Sequence, residues 1–224
     1  MPTWRKYIKR NEESSTYENI HSDAFIDTEF FNFYNNLIND ENLINSMKSY
    51  NYEGIFCLHQ NFAAQWIDFK KNQQFIIEEN CNFHKLLIEG SLLVTDYSSL
   101  FFDFGYLKKP VIYTHFDYEI YRASQYPEGY FDYKKDGFGP IYYDINTTVS
   151  AIIDSMKNNC QLKNKYLKRI KSFFSFFDEH NNDRLFRELT TKSNIEDKKC
   201  MYFNINIFFL IIMYLKIMNI VNNF

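Results

Sequence analysis

Two serines and two aspartates lie where the sequence is predicted to pass from a buried strand into a helix. The apolar-leaning residues Leu92–Thr95 are followed by Asp96, Ser98, Ser99 and Asp103. A helix that begins near Ser98 would present unpaired backbone N–H groups and the positive end of its dipole, and the two hydroxyls would add donors. The pattern therefore indicates a phosphate site, in which Asp103 would orient these groups or bind a ligand hydroxyl. A structural alternative is open, in which Ser98 or Asp96 only caps the helix.

The elements that must position these residues alternate between apolar strands and helices. Strands are predicted at 54–59, 74–78, 92–96, 110–114 and 141–144, and helices at 30–38, 41–50, 61–71, 82–90, 98–107 and in stretches from 147 to 189. Thr28 is the predicted N-cap of the first helix, and Gly90 is predicted to end the helix before the serines. Residues 115–140 are predicted to form a long aromatic, charged loop. Because this alternation builds parallel βαβ units, the predicted fold class is α/β, a doubly wound parallel sheet with flanking helices.

Composition and charge exclude several classes of function. The net charge of -3 and the pI of about 6.0 give no overall electrostatic attraction to nucleic acid, so none is expected as a partner. The four cysteines lie singly in the sequence, at Cys57, Cys81, Cys160 and Cys200. Without a CxxC pair we expect no zinc site, no disulfide framework and a reducing, cytoplasmic location. The polar N-terminus also lacks the apolar stretch of a signal peptide.

The C-terminal residues differ in composition from the rest of the chain. We expect an α/β domain over residues 1–191, followed over 192–224 by a polar linker and an apolar tail that asparagines and a lysine interrupt. A membrane span needs about 20 mostly apolar residues, so the tail is marginal by that test. Three interpretations are open: a weak membrane or interfacial anchor, a terminal helix docked on a partner, or out-of-frame coding sequence with no selected role.

Several short motifs occur in one order along the chain. They are "MPTWR" at 1–5, "LHQ" around His59, "LLVTDYSSLFFDFGYLKKPVIY" at 92–113, "DYEIY" at 117–121, "GYFDY" at 129–133 and "GPIYYD" at 139–144. Together they resemble the C-terminal, nucleotide-binding half of the CDP-glycerol glycerophosphotransferases, which prime or polymerise teichoic acids and related capsular polymers. The resemblance implies a two-domain GT-B transferase whose C-terminal domain holds CDP-glycerol.

The resemblance also implies roles for individual residues. Ser98 and Ser99 match serines near the donor phosphates, with Asp96 and Asp103 as further donor-binding candidates, and Arg5 matches an arginine suited to a phosphate. His59 matches a histidine of the donor side and is the candidate catalytic residue. Gln60 follows it here, where the family usually has proline.

The implied reaction is attack of an acceptor hydroxyl on the β-phosphate of the donor, with CMP as the leaving group. Such chemistry depends on positioning and charge neutralisation, so neither a cofactor nor a required metal is expected. A histidine would deprotonate the hydroxyl or, when charged, stabilise the pyrophosphate, and His59 fits the second role better.

The expected partners are CDP-glycerol, a polymer or lipid-linked acceptor, and peripherally the inner face of the plasma membrane. The N-terminal half of the family is not seen before Met1, so we expect a separately encoded half or a chain that transfers poorly by itself. Two other functions are open: a non-catalytic nucleotide-binding module, and a GT-B transferase that uses a different activated donor.

Aromatic and basic residues of the 115–140 segment have two interpretations. Tyr118, Tyr121 and Tyr130 would line the cytidine or glycerol pocket, or would pack a long loop against the domain. Arg122 would meet a phosphate, or would form a surface salt bridge. The histidines other than His59 show no ligand spacing and are expected to be structural or exposed.

Overall fold

The computed structural model of the chain describes residues 2–3, 5, 21–78 and 81–192, and for 60–63 and 192 it describes the backbone alone. The chain forms two compact units, Met1–Ser175 and Phe176–Phe224. The predicted domain boundary after residue 191 stays a prediction. The apolar tail lies outside the described residues, so its three interpretations remain open. No helix within the described ranges is long and apolar enough to cross a bilayer.

The described residues of the first unit form five short parallel strands in two sheets. They are β1 (Gly54–Cys57), β2 (Phe75–Glu78), β3 (Leu93–Thr95), β4 (Val111–Thr114) and β5 (Ile141–Tyr142). β1 pairs with β2, with Gly54 opposite Phe75. β4 pairs with both β3 and β5, with Leu93 opposite Val111 and Tyr113 opposite Ile141. β4 is buried at every position, as expected of a central strand covered on both faces.

Within the described part of the first unit, seven α-helices flank the strands. They are α1 (Glu29–Ile38), α2 (Glu41–Tyr50), α3 (Phe83–Glu89), α4 (Leu100–Tyr106), α5 (Tyr118–Ser124), α6 (Ile145–Lys157) and α7 (Asn164–Phe173). The second unit contains α8 (Asn181–Lys192). The predicted α/β class, with parallel strands flanked by helices, is confirmed.

Local sequence signals explain where several helices begin. The predicted cap Thr28 accepts a hydrogen bond from the backbone N–H of Phe31 at 3.1 Å. Asp40, Asn82 and Asp144 cap α2, α3 and α6 in the same way. Each side-chain oxygen satisfies one of the backbone donors that a helix start leaves unpaired.

The main core joins α1, α2 and α6 to the strands. α1 buries Phe30, Phe33, Tyr34, Leu37 and Ile38 along one face. The ring of Phe33 stacks on that of Phe116, which follows β4, with centroids 4.2 Å apart. This contact holds α1 beside the end of β4, where the functional residues gather.

Three details differ from the sequence predictions. Residues 60–68 form a 3-10 helix instead of an α-helix. α5 occupies part of the segment that was predicted to be a loop, because aromatic residues on it pack inward. Gly90 ends α3 as predicted but has an extended conformation, with φ -62.

No disulfide framework was expected from the sequence, but in this structure one disulfide joins Cys57 and Cys81. Cys57 ends β1, and Cys81 lies three residues after the end of β2. Parallel pairing of the two strands brings these positions together, with Cα atoms 6.1 Å apart. A spacing of 24 residues gives no hint of this proximity. The predicted reducing location is not tested by it.

Candidate functional site

A cleft of about 520 Å³ opens at the carboxyl ends of β1 and β3. It is lined by Thr3, His59, Tyr97, Ser98, Ser99, Phe101, Phe102, Tyr121, Arg122, Tyr126, Gly129, Tyr130, Phe131 and Tyr133. This is the edge at which open parallel sheets bind ligands. Three predicted site residues, His59, Ser98 and Ser99, therefore lie together.

The two serines stand at the start of α4. Ser99 is exposed and occupies the N-cap position, but its side chain makes no capping hydrogen bond. The Ser98 hydroxyl accepts a hydrogen bond from the backbone N–H of Leu100 at 3.3 Å. The capping alternative thus has some support for Ser98, whereas the hydroxyl of Ser99 is not used to cap α4.

His59 follows the end of β1 by two residues and lines the same cleft as the two serines. Its side chain is half-buried. The end of β1 is fixed both by pairing with β2 and by the Cys57–Cys81 bridge. His59 is therefore presented from a firmly held strand end.

Asp96 lies beneath the cleft and does not line it. Its carboxylate is fully buried and accepts hydrogen bonds from the backbone N–H of Thr3, at 2.7 and 2.9 Å, and from that of Tyr97, at 2.6 Å. The Tyr34 hydroxyl lies 3.4 Å from Oδ2 of the same carboxylate. Asp96 thus fixes Thr3 and the β3–α4 connection, which supports a positioning role, and the donor contact predicted for Asp96 stays a prediction.

Arg5 is also buried, between two carboxylates. Its Nη1 lies 2.9 Å from Oδ2 of Asp96, and its Nε and Nη2 donate to Asp117 at 2.6 and 3.0 Å. Nη1 donates further to the carbonyl oxygen of Thr3 at 2.7 Å. Each guanidinium nitrogen thus has an oxygen partner, and the side chain is 1% exposed. The geometry supports a positioning role, and the phosphate contact predicted for Arg5 stays a prediction.

The charges of this cluster stabilise one another. Burial by itself lowers the pKa of Arg5, but the carboxylates of Asp96 and Asp117 outweigh burial and hold the pKa well above its ordinary value. Burial by itself raises the pKa of Asp96, but Arg5 and the hydrogen bonds from Thr3 bring it below its ordinary value. Both groups are therefore charged at neutral pH, and together they form a rigid floor.

Asp103 is a third predicted site residue that does not line the cleft. It sits in the first turn of α4, is exposed, and is absent from the residues that line the cleft. Partial burial raises its pKa. Its predicted role in donor binding stays untested.

Arg122 supplies positive charge to the cleft and was only a secondary candidate in the sequence. It is the one arginine or lysine among the described residues that line the cleft. Its guanidinium carbon lies 5.7 Å from the ring centroid of Tyr97 and 5.9 Å from that of Tyr133. Its Nη1 donates to the carbonyl oxygens of Tyr126 and Pro127 at 3.3 and 3.1 Å. The sequence signal for this role was an arginine surrounded by tyrosines. α5 carries Arg122 and places it in the lining of the cleft.

Stacked rings form one wall of the cleft. The Tyr97 ring lies between Tyr121, at 3.7 Å and 7°, and His115, at 4.4 Å and 23°. The guanidinium carbon of Arg5 lies 5.1 and 4.9 Å from the ring centroids of Tyr97 and Tyr121. Burial lowers the pKa of His115 to about 4, so the ring is neutral at pH 7. Tyr121 thus lines the predicted pocket, as does Tyr130, which is 90% exposed.

One group of potential metal ligands occurs among the described residues. Cys57, Glu78 and Cys81 place their ligand atoms within 4.8 Å of one another. The two sulfur atoms are joined in the disulfide, so they are not thiolate ligands in this state.

Comparison with known proteins assigns a family to most of the chain. Residues 1–191 match the family model described as CDP-Glycerol:Poly(glycerophosphate) glycerophosphotransferase. The minor teichoic acid biosynthesis protein GgaB of Bacillus subtilis (strain 168) is 36% identical over 195 residues, which are 87% of this chain and 21% of that protein.

Solved structures of the wall teichoic acid polymerase TagF share the fold. One is 22% identical, covers 86% of this chain and 42% of that chain, and has a TM-score of 0.52. Another, soaked with CDPG for 15 minutes, is 22% identical, covers 72% and 40% of the two chains, and has a TM-score of 0.50. The chain thus spans about a fifth of the length of GgaB and less than half of the solved polymerase chains.

Proposed function

This chain belongs to the CDP-glycerol:poly(glycerophosphate) glycerophosphotransferase family, and we propose that its cleft binds CDP-glycerol as the donor of glycerol phosphate. The acceptor is a hydroxyl of a teichoic acid or related polymer, free or lipid-linked, and the product released is CMP. The solved polymerase chain soaked with CDPG supports this choice of donor.

One observation carries the proposal. His59, from the end of β1, and Ser98 and Ser99, from the end of β3, line the same cleft with Arg122. A diphosphate needs hydrogen-bond donors and positive charge, and hydrogen bonds to charged oxygens are about twice as strong as neutral ones. The exposed Ser99 hydroxyl, the α4 start and the guanidinium of Arg122 supply both.

The aromatic wall is suited to the rest of the donor. Base–aromatic stacking is worth about 1–3 kcal/mol per base, and an aromatic face accepts cytosine without regard to its hydrogen-bond pattern. Tyr126 and Tyr130 present exposed rings at the rim of the cleft, 58% and 90% exposed. We assign the cytidine to these rings and the diphosphate to the serines and Arg122.

The reaction is an in-line displacement at the β-phosphorus. A bond forms from the acceptor oxygen to the β-phosphorus, and the bond from the β-phosphorus to the bridging oxygen breaks, so that the electron pair leaves with CMP. The acceptor hydroxyl gives up its proton to solvent in this step, so that the charge balances when CMP leaves as an anion. His59, placed on the donor side, stabilises the charge on the pyrophosphate when protonated, while Arg122 neutralises the leaving group.

The buried cluster beneath the cleft fixes these groups in place. Arg5 ties Asp96, which follows β3, to Asp117, which precedes α5. Because α5 carries Arg122, this link sets the distance between the serines and the arginine. A difference of 1 Å in such positioning changes rates strongly.

The acceptor and further partners belong to the same proposal. A separately encoded N-terminal half would bring the acceptor, and the apolar tail would hold the protein peripherally on the inner membrane face. Sedimentation with anionic vesicles, compared between the full chain and a variant without 193–224, tests the second point. Equal sedimentation of both would overturn it.

Calorimetric titration tests donor binding. CDP-glycerol should release heat and saturate, CDP should bind more weakly, and UDP and GDP should bind weakest. A preference for UDP or GDP would identify a different activated donor. Saturable binding with no transfer to a glycerol phosphate polymer, even with a separately encoded N-terminal half added, would instead favour the nucleotide-binding module.

A further inference from the structure

Two cysteines and a glutamate meet at the carboxyl end of the β1–β2 pair. Cys57 ends β1 and Glu78 ends β2, and the two are opposite each other in the strand register. Residues paired in this way project their side chains from the same face of a sheet. Cys81 follows, with its Sγ atom 3.6 Å from the carbonyl oxygen of Glu78. Backbone pairing therefore gathers these side chains in addition to the disulfide that joins Cys57 to Cys81.

The spacing of the three side chains is close to that of a tetrahedral metal site. The two Sγ atoms and a carboxylate oxygen of Glu78 lie within 4.8 Å of one another. Zinc bonds of about 2.3 Å to sulfur and 2.1 Å to oxygen place tetrahedral ligands roughly 3.5–3.8 Å apart. Once the bond between the sulfurs is broken, side-chain rotation can reach these separations, because the Cα atoms are 6.1 Å apart. The strands themselves need not move.

The carboxylate of Glu78 distinguishes this cluster from a simple disulfide. A disulfide is uncharged and makes no use of a neighbouring carboxylate. Two thiolates beside a carboxylate would instead repel one another unless a cation lay between them. Thiolates are soft ligands that favour Zn²⁺, whereas Mg²⁺ and Ca²⁺ take six or more oxygens. The ligand set therefore selects zinc, although a spacing of 24 residues hides it from the usual cysteine patterns.

We propose that the reduced forms of Cys57 and Cys81, together with Glu78, bind one Zn²⁺ ion, with water as the fourth ligand. Reduction breaks the bond between the sulfurs. The disulfide takes up two electrons and two protons and becomes two thiols, while two molecules of a small thiol are oxidised to their own disulfide. Both protein thiols then release their protons to solvent as the metal binds, so zinc affinity rises with pH.

The site has a structural consequence for the neighbouring cleft. Cys57 precedes His59 by two residues, and His59 lines the cleft. The disulfide closes the end of β1 under oxidising conditions, and zinc closes the same end under reducing conditions. His59 is thus held in both states. Zinc binding itself is independent of the donor, so the site stands or falls separately from the proposed function.

Zinc titration of the full chain tests the proposal. The protein is reduced with a phosphine, which takes oxygen from water and becomes the phosphine oxide, and the excess is removed without air. The reduced chain should bind one equivalent of Zn²⁺ with a Kd of about 1 μM or tighter, measured by competition with a chromogenic chelator. The oxidised chain should bind at least about a hundredfold more weakly, because a disulfide offers no thiolate. Equal zinc binding by the two forms would overturn the proposal.

Matched variants assign the ligands. Cys57→Ser with Cys81→Ser should lose the equivalent of zinc, whereas Cys160→Ser with Cys200→Ser should keep it. Glu78→Gln should weaken binding about tenfold, as for loss of one charged ligand, whereas Glu89→Gln on the exposed face of α3 should not change it. Retention of zinc by the first double variant, or equal affinity in Glu78→Gln and the wild type, would overturn the three-ligand site.

Thermal unfolding provides a second readout. Because the ligands come together only in the folded β1–β2 pair, Zn²⁺ at a hundred times its Kd should raise the midpoint of the reduced chain by about 5 °C or more. It should not raise the midpoint of the Cys57→Ser, Cys81→Ser variant. Absence of a shift in the reduced wild type would overturn a site that depends on this fold.

Discussion

The Nη1 atom of Arg5 lies 2.9 Å from Oδ2 of Asp96, and both side chains are almost completely removed from solvent. Arg5 and Asp96 are 91 residues apart in the sequence, so the sequence alone does not suggest this ion pair. The pair joins the N-terminal described residues to the residue that follows β3. Asp117 completes the cluster at 2.6 Å from Nε. The donor cleft is built on this cluster.

Removal of Arg5 should destabilise the fold strongly. Arg5→Met leaves the buried carboxylates of Asp96 and Asp117 without their partner, so we expect a loss of roughly 3–5 kcal/mol in the free energy of unfolding. Urea denaturation followed by circular dichroism measures it. The matched control is Arg184→Met, which removes an arginine from a 2.7 Å pair with the partly exposed Asp178 and should cost about 1 kcal/mol or less. Equal losses in both variants would contradict the assigned role.

Stability should fall in mild acid because of His115. The pKa of this buried ring is lowered from 6.5 to about 4, chiefly by burial. Between these values the unfolded chain binds a proton that the folded chain does not, so folding free energy is lost as pH falls from about 6.5 to 4. The loss is on the order of 3 kcal/mol. His115→Phe should flatten this part of the profile, measured by urea denaturation at a series of pH values, and an unchanged slope would refute the assignment.

Arg122 should matter for ligand affinity more than for stability. Among the described residues that line the cleft, Arg122 is the one arginine or lysine, and Arg122→Ala removes its charge. CDP-glycerol affinity should therefore fall about tenfold or more, as expected for the loss of one charged hydrogen bond. Arg122→Lys should recover part of the loss, because the charge remains but the planar fork does not. Lys168→Ala removes an equal charge from the exposed face of α7 and serves as the control. Calorimetry that gave the same affinity for Arg122→Ala and Lys168→Ala would exclude Arg122 from the phosphate site.

Reduction of the Cys57–Cys81 bridge should lower stability. Loss of a cross-link across 24 residues costs about 3 kcal/mol in the chain-entropy description. Cys57→Ser with Cys81→Ser should therefore lower the thermal midpoint, and dithiothreitol should lower it in the wild type but not in the double variant. The buried Cys160→Ser variant controls for loss of a thiol. Equal midpoints with and without reductant in the wild type would show that no bridge forms.

Local signals explain which elements could be predicted from the sequence. Thr28 begins α1 and Gly90 ends α3, because caps act within one turn. β4 was predicted because an uninterrupted apolar run follows Pro110. α5 was not predicted because its aromatic residues are also typical of a packed loop. The inward packing of α5 is evident only from the structure, in which Tyr121 stacks on Tyr97.

Contacts distant in sequence explain what could not be predicted. Arg5 and Asp117 are 112 residues apart, and an arginine in an N-terminal motif carries no sign that two carboxylates will bury it. The rule that open parallel sheets bind ligands at the carboxyl ends of their strands predicted the place of Ser98 and Ser99, whereas His59 was assigned to the donor side only from the family resemblance. Asp103 was expected there too, but it is not among the residues that line the cleft, and its predicted role stays a prediction.

The most direct measurement compares CDP-glycerol titrations of the wild type, the Ser98→Ala, Ser99→Ala double variant, and Ser150→Ala. Ser150 is an exposed helix serine of α6, and its hydroxyl donates to the carbonyl of Asn146. The account predicts that the wild type and Ser150→Ala bind equally and that the double variant binds at least about tenfold more weakly, with an unchanged circular dichroism spectrum. Equal affinity in all three proteins would contradict a diphosphate site at the start of α4.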